Sequence, residues 1–381
     1  MRDGFEIEAV ELRIIALPMV SPFIAAHGAV STRTVVIVRV VGGEDEGWGE
    51  CAALPEPTYS AEYVDDAYLT LQEQLIPRLL AVQGPISPER LGLAFADVIG
   101  HPMARASLEL ALLDARGRRT GTSLARLLTP HPPGPRTVVP AGVALGLKES
   151  PDDLAREVAA RVAEGYGRIK IKIAPGRDIE FLRAARQAVD VSIEMSVDAN
   201  GSYTLDDTAT LAELDQFDLA YIEQPLAADD LLDHAELARR LRTPVCLDES
   251  LTSATVTREA LDMGACSIVC VKAPRLGSWL EAASVLDHCE GLGIGAWVGG
   301  MLDGGIGRAA TIALAAHPGA TLTGDIGATA RFFTDDVCSF LAVDGRDGLG
   351  TVSVPSGTGL GVTIDPSALT RLTVRSDIVR R

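Results

Sequence analysis

The chain has no excess of positive charge: 34 Lys and Arg stand against 52 Asp and Glu, a net charge of −18 with a pI near 4.8. That excludes nucleic acid and anionic membranes as expected partners, because phosphate surfaces are held by clustered Lys and Arg. Paired metal-binding motifs are missing too. The six cysteines, Cys51, Cys246, Cys266, Cys270, Cys289 and Cys338, form no C-x-x-C pair, and the six histidines form no H-x-H or H-x-x-x-H pair. Neither a zinc site nor a disulfide framework is implied; scattered thiols in apolar runs suit a reducing compartment. No apolar run approaches the roughly 18 to 20 residues of a membrane span. The opening Met1-Arg2-Asp3-Gly4-Phe5-Glu6 carries acids where a signal peptide needs an apolar stretch, so a cytoplasmic protein is expected.

What is present is a chain of 381 residues, 47% apolar and 23% charged. It exceeds the size at which a single core stops growing, so a large domain with a smaller companion is the natural expectation. Apolar and polar residues alternate through Ile7–Ile14 and Thr34–Val41, then turn at Gly42-Gly43 into Trp48-Gly49-Glu50, the pattern of an antiparallel meander. Helical periodicity follows in Ala61–Leu80, Ser87–Ile99 and Met103–Gly117. A proline-rich linker, Pro130–Pro135, closes this part.

Beyond it, short apolar runs alternate with amphipathic helical stretches. The runs are Val138–Leu145, Ile169–Ile173, Ile193–Val197, Leu219–Ile222, Val245–Leu247, Ser267–Val271 and Gly295–Val298. Such alternation predicts a parallel sheet covered on both faces, and seven or eight units favour a closed barrel. The expected architecture is α/β: a modified TIM-type (β/α) barrel over 137–330, with an α+β capping domain built from 1–130 and from the C-terminal segment 331–381. Cys338–Val343 and Gly345–Gly361 are expected to be strands and turns returning to the cap.

The chemistry sits at the ends of those runs. Lys170 and Lys172, Asp198, Glu223, Asp248 and Lys272 follow one another at steps of 24 to 26 residues from Lys172 onward. One strand–helix unit has that length, so the spacing brings all of them to the C-terminal mouth of a barrel, where catalytic residues gather. An acid after a strand is commonly a helix cap; five points at one period are a site. Three acids in one mouth repel unless a cation lies between them, and a hard divalent ion with oxygen ligands, Mg²⁺, is the economical choice. Lys170 and Lys172, two apart on a strand, face the same way, and their mutual repulsion is expected to depress one ammonium and free an amine to act as a base. Glu249, next to Asp248, is a candidate for orienting these groups. Pro18–Val30 and Ala53–Ser60 are candidate lids, with His27 in the first.

These residues carry a resemblance. Ile169-Lys-Ile-Lys172, Val197-Asp-Ala-Asn200, Ile222-Glu-Gln-Pro225 and Leu247-Asp-Glu-Ser250, together with Lys272, resemble the enolase superfamily in its muconate-lactonizing branch, along nearly the whole chain. The resemblance implies Asp198, Glu223 and Asp248 as Mg²⁺ ligands, Lys172 and Lys272 as acid and base either side of a substrate α-carbon, and Lys170 tuning its neighbour. Asn200 joins Glu249 behind them. Gly47-Trp-Gly-Glu-Cys51, Pro57-Thr-Tyr-Ser60 and Gly299-Gly-Met-Leu-Asp-Gly-Gly-Ile-Gly-Arg308 are most similar to o-succinylbenzoate synthases and N-succinylamino acid racemases.

That similarity implies a lyase of menaquinone biosynthesis, with racemisation as a companion or an alternative, and other cycloisomerases or dipeptide epimerases of the branch as further alternatives. It also implies a substrate-binding set of Gly299, Gly300, Met301, Asp303 and Arg275, with bare backbone amides receiving a succinyl carboxylate. Cys270, Ala273-Pro274 and Ala144 depart from the family pattern and bear on substrate preference. A homo-oligomer acting on a small carboxylate is expected. The reading from a different class, a non-catalytic binding protein on this barrel, is opposed by the intact set of five charged residues.

Overall fold

A computed structural model describes residues 4–25 and 28–381, and side chains outside 22–31. The alternation near the N-terminus forms three antiparallel strands, β1 (Ala9–Ala25), β2 (Gly28–Gly42) and β3 (Asp45–Cys51). Period-two geometry sends Val36, Val38 and Val40 into the core of the cap, while Val35 and Ile37 face the barrel core. One sheet therefore serves two cores. The helix Pro102–Thr120 lies against β3 at backbone contact distance: a Cβ on Gly47 or Gly49 would stand 2.0 Å from the carbonyl oxygens of Ala111 and Ser107.

After β4 (Val138–Pro140), seven strands form one parallel sheet in sequential order: β5 (Gly142–Leu145), β6 (Arg168–Lys172), β7 (Glu194–Asp198), β8 (Ile222–Glu223), β9 (Val245–Leu247), β10 (Ile268–Val271) and β11 (Gly295–Val298). Helices between them, such as Pro151–Ala163 and Trp279–Leu292, start on Ser150 and Ser278, whose side chains accept from backbone N–H groups of the first turn.

Among the described residues no eighth regular strand closes the ring. The stretch 322–326 does so irregularly: Leu322 N–H donates to Ala296 (3.0 Å), Asp325 N–H to Val298 (3.3 Å) and Gly142 N–H to Ile326 (3.0 Å). Glycine is required at this seam, because a Cβ on Gly142 or Gly324 would fall 2.3 Å from a backbone oxygen.

Two expectations change. Pro18–Ala25 and Gly28–Val30 belong to the β1 and β2 strands of one hairpin, held by hydrogen bonds from Val20 N–H to Phe332 and from Thr334 N–H to Pro18; His27 lies outside the described residues. The register slips between Pro18 and Phe23, and proline, which cannot donate to the ladder, stands at the start of the slip. Cys338–Val343 forms no strand, while the glycine-rich stretch ends against the cap as expected and starts under the barrel. There β12 (Thr351–Ser353) pairs with β4, and Gly350 N–H bonds Gly165. The return to the cap begins at Gly359 and Leu360, whose N–H groups donate to Thr122 O (2.9 Å) and Asp114 Oδ1 (2.7 Å), and ends with β13 (Thr373–Arg380) on the edge of β1.

All six cysteines are free and buried, and among the described residues no helix is long and apolar enough to cross a membrane. Gly49→Ala should lower the unfolding free energy by about 1–3 kcal/mol, read by denaturant titration, because the helix backbone has to move to admit one methyl group.

Candidate active site

Strand register assembles the mouth. Lys172 stands beside Asp198, Asp198 beside Glu223, and Glu223 beside Cys246, two residues before Asp248; Lys272 directly follows β10. Arg168, Lys170 and Lys172 alternate along β6, so they line one face at successive depths.

Lys170 is the hub. Its ammonium lies 2.8 and 3.0 Å from the two carboxylate oxygens of Glu223, 2.9 Å from Asp325 and 3.3 Å from Asp198. Burial alone would pull its pKa down, but Asp325, Glu223 and Asp198 outweigh that and hold it well above the usual lysine value. This corrects the expected repulsion between Lys170 and Lys172: the acids across the barrel govern Lys170. Asp325 is held below the carboxylate range by Lys170 and by Arg168, which pairs with it from one layer deeper and also reaches the Tyr221 hydroxyl.

Lys172 donates to Asp198 Oδ2 (2.6 Å) and to Asn200 Oδ1 (2.5 Å), and Asn200 Nδ2 donates on to Glu249 (2.7 Å). Asn200 takes a left-handed backbone, φ 43°, which asparagine tolerates better than most residues. On the far side of the mouth Lys272 donates to Asp248 Oδ2 (2.7 Å) and to the Tyr59 hydroxyl (3.1 Å). Gly299 makes room for it, since a Cβ there would sit 2.7 Å from Lys272 Cε. Arg275 pairs with the other oxygen of Asp248 and bonds Tyr59 (3.0 Å), Leu251 O (2.9 Å) and Cys270 O (3.3 Å). Burial would raise the Asp248 carboxyl; Arg275 and Lys272 reverse that and keep it far below the carboxylate range.

The acids can hold a hard cation. Oxygens of Glu223 and Asp248 and the sulfur of Cys270 lie within 4.8 Å of one another, and Asp198 adjoins them on β7. Burial, then Asp198, push the Glu223 carboxyl well above its ordinary range, and the Asp248 and Asp325 charges act the same way, so this corner lacks positive charge even with Lys170 present. Burial likewise keeps the Cys270 thiol protonated, which leaves carboxylate oxygens as the donors. An oxygen donor set suits Mg²⁺.

Gly300, Met301 and Leu302 line the same cavity as Lys170, Lys172 and Lys272. The amide of Gly299 already donates to Val271 O (3.0 Å), and that of Met301 to Asp303 Oδ1 (3.2 Å); Asp303 also accepts from Thr311. The cap fastens this loop. Arg33, fully buried, donates to Ala52 O, Ala53 O, Met301 O (3.2 Å) and Leu302 O (3.1 Å), the last on a residue with φ 56°. Glu50 accepts from Gly304 N–H (2.7 Å) and Gly307 N–H (2.9 Å), and burial and the nearby Asp303 push its carboxyl up to about 8.

Sequence reasoning did not reach Asp325, Arg168 or Arg33, and it met Tyr59 and Glu50 only inside motifs, with no role of their own. Arg168 was within reach, because it extends the period-two series of Lys170 and Lys172 by one step.

The chain matches the family described as enolase C-terminal domain-like over residues 153–368, and the mandelate racemase / muconate lactonizing enzyme N-terminal domain over residues 9–129. It is 43% identical to an N-succinylamino acid racemase of Amycolatopsis sp, over 97% of this chain and 98% of that protein. It is 38% identical to an o-succinylbenzoate synthase of Geobacillus kaustophilus, over 99% of both. Among solved structures, a member of the enolase superfamily from Listeria innocua Clip11262 superposes with a TM-score of 0.91 at 34% identity, covering 98% of this chain and 99% of that one.

A raised Glu50 pKa has a consequence for stability. The folded state holds this proton more tightly than the unfolded chain, so the stabilisation is complete below about pH 4.5 and is lost as pH rises through about 8. Denaturant titrations from pH 5 to 9 should show stability falling over that window, by a few kcal/mol at most. Glu50→Gln should flatten the slope.

Proposed function

We infer that this chain, which belongs to the mandelate racemase / muconate lactonizing enzyme family of the enolase superfamily, takes a proton from the carbon beside a carboxylate. The observation that carries the reading is the pair Lys172 and Lys272. They stand on β6 and just beyond β10, with the acid-bearing ends of β7, β8 and β9 between them, and both line one cavity. A planar carbon centre held over those acids would present one face to each lysine.

Asp198, Glu223 and Asp248 are the residues to hold Mg²⁺, with Asn200 and Glu249 orienting Lys172 and Arg275 orienting Asp248. Bound there, the cation would supply charge neutralisation to the substrate carboxylate as the α-proton leaves. Lys172 accepts that proton at Nζ, general-base work worth about 10²–10⁴ in rate. Where the substrate has a β-hydroxyl, Lys172 passes the proton to it and water departs, which gives o-succinylbenzoate. Where it has none, Lys272 delivers a proton to the opposite face and the centre inverts, as for an N-succinylamino acid. Relatives bearing both names match over nearly the whole chain, so we assign dehydration as the main activity and racemisation as the second outcome of one half-reaction. A reducing, cytoplasmic setting suits six free buried cysteines.

The decisive test is α-hydrogen exchange in D₂O with N-succinyl amino acids of both hands, alongside turnover of the synthase substrate. Lys172→Ala should lose dehydration and exchange on its own face by about 10²-fold or more, and Lys272→Ala should lose racemisation. Exchange at the wild-type rate on both faces in either variant would overturn the roles. EDTA should abolish turnover and added Mg²⁺ restore it; full activity after chelation would remove the cation from the reaction.

A further inference from the structure

Lys170, Lys172, Lys272, Arg168 and Arg275 all spend their charge on acids of the site. Arg308 does not. It stands in the first turn of the helix Gly305–Ala315, is 2% exposed, and lines the cavity that holds the two lysines. Among the described residues no carboxylate forms an ion pair with it. Within the described residues its one hydrogen bond runs from Nη1 to the backbone oxygen of Asp325 (3.3 Å), and its Nε meets no partner. The acid that feels its charge, Asp336, is engaged instead by the backbone N–H groups of Gly305 and Val337. Phe332 lies over the guanidinium, 5.3 Å from ring centroid to Cζ, and also lines the cavity.

A buried charge without a counter-ion is costly and persists in a fold when something supplies the missing partner. The approach from the cavity passes Gly300, where a Cβ would stand 2.9 Å from Asp303 Oδ2 and 3.7 Å from Arg308 Nη1, so both groups border this space and glycine leaves it open. The amides of Gly299 and Met301 on either side are already committed. We propose that Arg308 anchors a second carboxylate of the substrate, the free end of its succinyl arm, in the space in front of Gly300. This rests on the reading above only in that the substrate carries such an arm. A planar, forked donor is the natural partner for a carboxylate, and an aromatic face beside it matches the methylene stem of the arm.

The test compares N-succinylalanine with N-butyrylalanine, which has a methyl group in place of the distal carboxylate at equal chain length, using Mg²⁺-loaded enzyme. Wild type should favour the succinyl compound by about 10- to 100-fold, in calorimetric Kd and in the KM for α-deuterium exchange. In Arg308→Met that preference should shrink to within about threefold, with Arg308→Lys in between. Gly300→Val keeps the guanidinium and fills the space before it, so it should lose the preference too; it decides the matter if Arg308→Met does not fold. A preference that survives in these variants, an equal loss for both compounds, or no preference in wild type overturns the proposal. Should wild type exchange neither compound, the reaction assignment falls, while the calorimetric preference still decides the anchor.

Discussion

Everything at the barrel mouth depends on the Lys170 ammonium lying among Glu223, Asp198 and Asp325. Without a buried cation there, three acids converging inside one barrel would repel at low dielectric, and at least one would be neutral. With it, Asp198 and Asp325 stay ionised, and the acid edge is ready for a second, divalent charge. Lys172, one pleat nearer the solvent, is then left to a different task. The arrangement also demands a register correct to a single residue, because a slip by one would send Lys170 and Lys172 to the helix side of the sheet.

Much of this was legible in the sequence for one reason: the chemistry is carried by regular elements. A strand–helix unit has a nearly constant length, so charged residues at matching strand ends recur at a matching interval, and Lys172, Asp198, Glu223, Asp248 and Lys272 could be placed before any coordinates. What escaped belongs to segments without a period. Asp325 lies on the irregular seam that stands in for an eighth strand, and Tyr59 on a loop of the cap. The behaviour of Lys170 escaped for a related reason. Adjacent residues in the chain suggested repulsion, whereas the partners that decide its charge are 28, 53 and 155 residues away and meet it only when the barrel closes.

The cap contributes contacts of another kind. Arg33 and Glu50 act on backbone carbonyls and amides of the 301–307 loop, and Glu109 accepts from Ser278 and from the amides that open the helix Trp279–Leu292. Side chain to backbone bonding of this sort leaves little trace in a pattern of residue types, because the partner group is the same at every position. It is nevertheless what gives the cavity its shape.

The division has a physical consequence for the site. The lysines proposed to move protons stand on a strand or immediately beyond one, where packing leaves them little freedom, and the barrel sets most of their geometry, with Tyr59 of the cap bonded to Lys272. The wall of the cavity at Gly300, Met301 and Leu302 has no such support. Leu302 holds a left-handed backbone that costs a branched side chain about 1 kcal/mol, and the carbonyl bond from Arg33 is of the size needed to offset it. Loop and cap are therefore mutually dependent: undocking the cap would release Arg33 and let the wall relax, and at the mouth itself would take Tyr59 away from Lys272 and Arg275. Reaction type then follows from the barrel, and substrate choice from how the cap holds one strained loop against it.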